Sequence, residues 1–315
     1  MKNTLFRGLL SASALALTAF TSVGGAIAQE STATPEPQPV KLEKIETKDV
    51  DPALWVVKDE DTTIYLFGTV HVLKPGLSWF DEAVKEAFDD SEKLVMEIVD
   101  PSAGDAQKIF GKYALAGDGK PLREKLSKDE RKDYETAMKA LGLPAAAFDP
   151  LDPWAAAVTV QVIAIGKNGY DPNQGAEKQL TAAAKAAGKP ISALETVEGQ
   201  LAIFDGLPQQ DQLLFLNSST KDIPLITEGL DVMVDAWGQG DSDRLGQIMN
   251  EGFTSPELRS ALLTRRNAQW VRWIKDRMDK PGTIFMAVGA GHLSGSDSVQ
   301  NLLLAYGLKA QRINY

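Results

Sequence analysis

Short apolar runs alternate along this chain with longer stretches of helical spacing, the order expected of an α/β fold. Ala53–Val57 and Thr62–Phe67 flank the polar Lys58-Asp59-Glu60-Asp61, a pattern that predicts a β-hairpin. After Pro75-Gly76, Ser78 stands where it can cap a helix whose apolar stripe is Val84, Ala87 and Phe88. Lys93–Ile98 reads as the next strand, and residues 105–143 as helical with a largely solvated, charged face. Asp152-Pro153 opens a nearly all-apolar helix from Trp154 to Ile165, since proline is tolerated in a first helical turn. A turn at Gly169-Tyr170-Asp171-Pro172 leads to a helix over Ala176–Ala187, and Pro190–Thr196 to a short strand. The region from about 197 to 280 is rich in Leu, Ile, Val and Met at helical spacing, which predicts a helical insertion. A strand over Thr283–Val288, a helix near Ser298–Tyr306 and a closing strand over Lys309–Ile313 complete the core. The expected fold is a mixed sheet with helices and a helical insertion.

Two of these strands end alike. Thr62–Phe67 runs into Gly68-Thr69-Val70-His71, and Thr283–Val288 runs into Gly289-Ala290-Gly291-His292. The chain has only 2 histidines, and both lie in these Gly-x-x-His turns. Glu97 and Glu195 also fall late in apolar strands, where a carboxylate is costly unless paired, hydrogen-bonded or bound to a metal. For Glu97 the competing reading is a solvent-facing residue on a half-buried strand; for Glu195 it is a cap on the following helix. Ligands of open α/β sheets sit at the carboxyl ends of the strands, where His71, Glu97, Glu195 and His292 are all expected. Two imidazoles with one or two carboxylates suit a first-row divalent ion with positions left for water and substrate. The ion would activate water, and a second carboxylate would take the proton. A site without metal, using His71 or His292 as base and Glu97 as orienter, stays open. The His-Glu-x-x-His helix, the dinucleotide fingerprint and the Gly-x-Ser-x-Gly elbow are absent from the sequence. Trp270 and Trp273, three positions apart on one helix, read as packing.

Composition narrows the setting. Lys2 and Arg7 precede an apolar run from Leu9 to Val23 and the small-x-small signal Ala26-Ile27-Ala28, so residues 1–28 read as a signal peptide, with a retained anchor as the alternative. Residues 29–50, with Pro35, Pro37 and Pro39, read as a disordered linker. No later segment is apolar enough to span a membrane, and a periplasmic or secreted location follows. The absence of cysteine leaves stability to burial, hydrogen bonds and ligands. A formal net charge of −10 repels a phosphate backbone, which disfavours nucleic acid as partner. The charge favours solubility without identifying a substrate, and the expected partner is a peptide or small-molecule substrate of the strand-end site.

With these residues in place the chain resembles the TraB/GumN family, related to the Tiki metalloproteases. The resemblance rests on Leu66–His71, Val95-Met96-Glu97, Gly169-Tyr170-Asp171, Gly188-Lys189-Pro190 with Leu194-Glu195-Thr196, Arg266-Asn267 with Trp270, and Val288–Leu293. It covers roughly Leu54 to Ile313. The resemblance implies a site of two Gly-x-x-His motifs and a glutamate: His71, His292 and Glu97 as metal ligands, Glu97 also catalytic, with Glu195 and Arg266 in support. It further implies a peptidase dependent on a divalent metal, Mn, Co or Zn. Two other functions compete: a non-catalytic protein that binds a peptide, saccharide or haem-like ligand, and a structural role in envelope polysaccharide export.

Overall fold

In a computed structural model, which describes residues 47–221 and 223–315, the chain folds as a mixed α/β protein. The signal peptide and most of the linker expected from the sequence lie outside the described residues. The linker's last residues are ordered into a two-residue strand, β1 (Lys48–Asp49), which pairs in parallel with Leu77–Ser78. Val50 ties this end to the fold: its side chain is buried and its amide bonds Ser78 O at 2.9 Å.

The core is a sheet of β2 (Leu54–Lys58), β3 (Thr62–Thr69), β5 (Lys93–Met96), β6 (Ile191–Ala193), β7 (Gly282–Gly289) and β8 (Gln311–Ile313); β4 is the Leu77–Ser78 strand beside β1. The six strands run in the order β6-β5-β7-β3-β2-β8. The neighbours β6, β5, β7 and β3 are parallel, whereas β2 is antiparallel to both β3 and β8. Central parallel strands are covered on both faces, which is why β7 reads as a continuous apolar run. Its side chains alternate, as a period of two requires. Phe285 and Ala287 join Phe67, Leu94 and Met96 under α1 (Glu82–Asp90) and a helix over Ala176–Ala186. Ile284, Met286 and Val288 join Leu66 and Val95 under the helix Arg265–Met278 and the short helix Val299–Leu303.

The helical layer is larger than the expected insertion. Helices between Val197 and Gly238 share one apolar core with Ala103–Ala114, Lys128–Ala140 and Pro153–Lys167, so two chain segments build it. This layer overhangs the carboxyl ends of β3 and β7. Trp237, from the helix Ile223–Gly238, donates its indole N–H to Gly68 O at 2.8 Å and packs against Trp79, which stacks on Phe67. The overhang is thereby anchored on the strand that delivers His71.

Candidate functional site

The two Gly-x-x-His turns meet because β3 and β7 are neighbours paired in register, with Thr69 opposite Gly289. Residues more than 200 positions apart in sequence therefore leave the sheet side by side. Gly68 permits the closeness: a Cβ there would lie 3.0 Å from Ala290 Cα. After β7 the chain tightens into a 3-10 turn, Ala290–Leu293, which turns His292 inward. Seen from Gly289, three candidates converge. The position a Cβ would take there is 3.4 Å from Glu97 Oε2, 3.6 Å from His292 Cδ2 and 3.7 Å from His71 Nε2.

Each of these groups is held from behind. Gly289 N–H donates to Glu97 Oε2 at 3.1 Å, and Gln200 Nε2 donates to Glu97 Oε1 at 2.7 Å and to Glu195 Oε2 at 2.9 Å. Arg266 is 4% exposed and lies between the two glutamates. Its Nη2 donates to Glu97 Oε1 and its Nε to Glu195 Oε1, the latter at 2.9 Å. Its Nη1 donates to Leu262 O at 2.9 Å and lies 3.1 Å from His292 Nε2. Arg266 follows a single π-helical turn over Ser260–Thr264; such bulges often mark functional sites. Glu195 does not cap the next helix: Thr196 does, accepting from Gly199 N at 3.0 Å. Trp270, expected to do no more than pack, donates to Glu195 Oε1 at 2.8 Å and sets its ring 4.2 Å from that of His292.

One residue of the site had no part in the sequence reading. Glu177 Oε1 lies 2.5 Å from His71 Nδ1, and Glu177 sits in the first turn of the helix that begins at Ala176. The loop Asp171–Gly175 sets that helix in place. Asp171 N bonds Leu73 O at 3.1 Å, Ala176 N bonds Val70 O at 3.0 Å, and a Cβ on Gly175 would fall 2.3 Å from His71 O. Gly175→Ala is expected to push the loop off His71 and destabilise the fold by about 1–3 kcal/mol, read from thermal or urea unfolding. An unchanged midpoint would show that the loop gives way freely.

These surroundings fix the charges. Burial would raise the Glu97 pKa, but Arg266 and the two imidazoles hold it well below the usual carboxylate range, so it is ionised. Burial and the Arg266 cation push His292 down to about 3, which keeps it neutral. Its Nδ1 is 2.5 Å from Asn267 Oδ1, so the proton belongs on Nδ1 and Nε2 is the acceptor facing Arg266. For His71, burial works downward and the Glu177 carboxylate upward; the carboxylate prevails and the pKa is raised. With Nδ1–H bonded to Glu177, His71 Nε2 is left to the cavity.

The structure thus brings His71, Glu97, Glu195, Arg266 and His292 together. It does not close His71, His292 and Glu97 around one ion. Among the described residues no group of three or more His, Asp or Glu side chains is arranged to hold a metal. The reason is Arg266, whose guanidinium occupies Glu97 Oε1 and His292 Nε2. The distance from His292 Nε2 to Glu97 Oε2 is 4.0 Å, whereas two ligands on a tetrahedral ion with bonds of about 2.1 Å sit about 3.4 Å apart. An ion shared by His71, Glu97 and His292 would require Arg266 to leave Glu97 Oε1 and His292 Nε2.

Beside these groups lies a cavity of about 100 Å³, bounded on the sheet side by Thr69, His71, Glu97, Gly289 and His292 and on the other by apolar side chains of the helical layer. No helix among the described residues is long and apolar enough to cross a membrane.

A mixed α/β sheet with paired Gly-x-x-His turns, a buried glutamate and an arginine between them defines the class of the molecule. The chain belongs to the TraB/PrgY/gumN family, whose sequence profile matches residues 53–312. It is similar to a protein of Escherichia coli (strain K12) named uncharacterized protein YbaP, with 24% identity over 252 residues, 80% of this chain and 92% of the relative. The protein of the same name from Shigella flexneri matches to the same extent, with 24% identity over 252 residues. An uncharacterized protein of Treponema pallidum (strain Nichols) is 20% identical over 264 residues, 79% of each chain. No solved structure matches the chain.

Proposed function

We propose that this protein is an exported hydrolase acting on peptide bonds, with His71 as general base. The observation that carries this reading is the His71–Glu177 pair. A carboxylate at 2.5 Å fixes the imidazole by Nδ1, leaving Nε2 on a cavity shared with an ionised Glu97. Water placed between Nε2 and Glu97 Oε2 would lose its proton to His71 as it attacks a carbonyl carbon. Glu177 stabilises the imidazolium that forms, and the leaving amine takes the proton from it. Arg266 keeps Glu97 ionised; Glu195, Gln200 and Trp270 hold Arg266 and the glutamates in place.

A second reading retains the divalent ion, Mn, Co or Zn. Its support is that both histidines have Nδ1 fixed by an oxygen, as metal-ligating imidazoles do. His71, Glu97 and His292 would hold the ion, which would supply Lewis acidity, and Arg266 would first have to leave His292 Nε2.

The test is to incubate the purified protein with a mixed peptide library, with chelator and then with each of the three metals, and to follow cleavage by mass spectrometry. Cleavage in chelator, lost in His71→Ala, is the expected result. Cleavage that needs an added ion would replace the first reading by the second, and no cleavage under any condition would leave a binding protein.

A further inference from the structure

We infer that the apolar wall of the cavity is a side-chain pocket that selects substrates carrying a branched aliphatic or small aromatic group beside the bond cleaved. This rests on the hydrolase reading and specifies its substrate.

The cavity has two unlike walls. On one stand His71, Glu97, Arg266 and His292; on the other stand Leu230, Met233, Met249, Phe253, Leu262 and Leu263. Convergent polar groups facing an apolar lining are what a small-molecule site uses to orient one part of a ligand and enclose another. Leu230, Leu262 and Leu263 are buried, but Met233, Met249 and Phe253 are only half-buried. Three large apolar side chains left partly in water next to a charged cluster gain free energy when an apolar group covers them. A charged substrate side chain in the same place would lose its hydration with no partner on that wall.

Size limits the choice further. An apolar cavity of about 150 Å³ takes up benzene, and this one is about 100 Å³. A leucine or isoleucine side chain fits; phenylalanine fits with movement of the two methionines, whose unbranched thioethers yield easily. Tryptophan does not.

The experiment compares peptides that differ only at the residue beside the scissile bond, with Leu, Phe, Trp, Asp or Lys there. The expected kcat/KM for Leu or Phe exceeds that for Asp, Lys and Trp by about tenfold or more. Leu263→Trp, which fills the pocket, is expected to erase that preference, and Met249→Ala, which enlarges it, to move the preference toward Trp. Equal cleavage of all five, unmoved by either variant, would overturn the pocket and leave the hydrolase standing. If no peptide is cleaved, the hydrolase reading falls, and binding of N-acetyl-leucinamide by calorimetry decides the pocket alone. Binding absent for N-acetyl-aspartamide and lost in Leu263→Trp upholds it; no difference between the two amides overturns it.

Discussion

Arg266→Leu is expected to cost the fold about 3–5 kcal/mol in urea unfolding at neutral pH. The residue touches the buried Glu97 and the partly buried Glu195 at once, and removing it leaves the two carboxylates facing each other through Gln200 without a cation. Glu97 is 5% exposed, so bulk solvent does not compensate its charge once the guanidinium is gone. Adding Glu97→Gln and Glu195→Gln to the variant is expected to recover most of the loss, since it is the uncompensated charge that costs and not the missing pair. A loss below about 1 kcal/mol, typical of an exposed pair, would mean that Arg266 is not what holds the two glutamates. The sign of the pH dependence follows from the same pair. The folded-state pKa of Glu97 lies below its ordinary 4.5. Its contribution is therefore complete at neutral pH and fades only as acid takes the pH below the ordinary carboxylate range.

The second large effect is on rate. His71→Ala and Glu177→Gln are each expected to lower kcat on the best peptide substrate by about 10²–10⁴-fold. The first removes the base. The second places an amide beside Nδ1, where its N–H₂ favours the wrong tautomer and no charge remains to support the imidazolium. Circular dichroism should show the fold retained in both, because neither side chain belongs to the apolar core. A Glu177→Gln enzyme as fast as the parent would remove the dyad from the mechanism.

What the sequence made legible was decided by local pattern. β3 and β7 end in the same turn, and an apolar run entering Gly-x-x-His announces both a strand and its chemistry. That the strands are neighbours is a fact of topology, visible only through the pairing of Thr69 with Gly289. Glu195 had two readings, and the choice turned on one atom: Thr196 Oγ1 takes the capping bond, which frees the glutamate for Arg266 and Trp270. Glu177 left no comparable signal. An acidic residue in the first turn of a helix is ordinary, since it complements the dipole there, and nothing local ties it to a histidine 106 positions earlier. The metal ligands show the opposite limit. Residue types gave a sound donor set, but where a guanidinium lies among them depends on how the helix Arg265–Met278 packs on the sheet. That the helices before Asn168 and those after Thr196 share one core is a fact of packing that no local pattern announces.

The convergence of His71 and His292 on one charged site is best tested by following the imidazole nitrogens through a pH titration by heteronuclear NMR. The chain has 2 histidines, so each signal can be assigned by a single substitution. His71 is expected to titrate above the ordinary 6.5, with its proton on Nδ1 when neutral, and to move downward in Glu177→Gln. His292 is expected to remain neutral through mildly acid pH, its pKa pushed down to about 3. Two imidazoles titrating together near 6.5, indifferent to Glu177, would contradict the site.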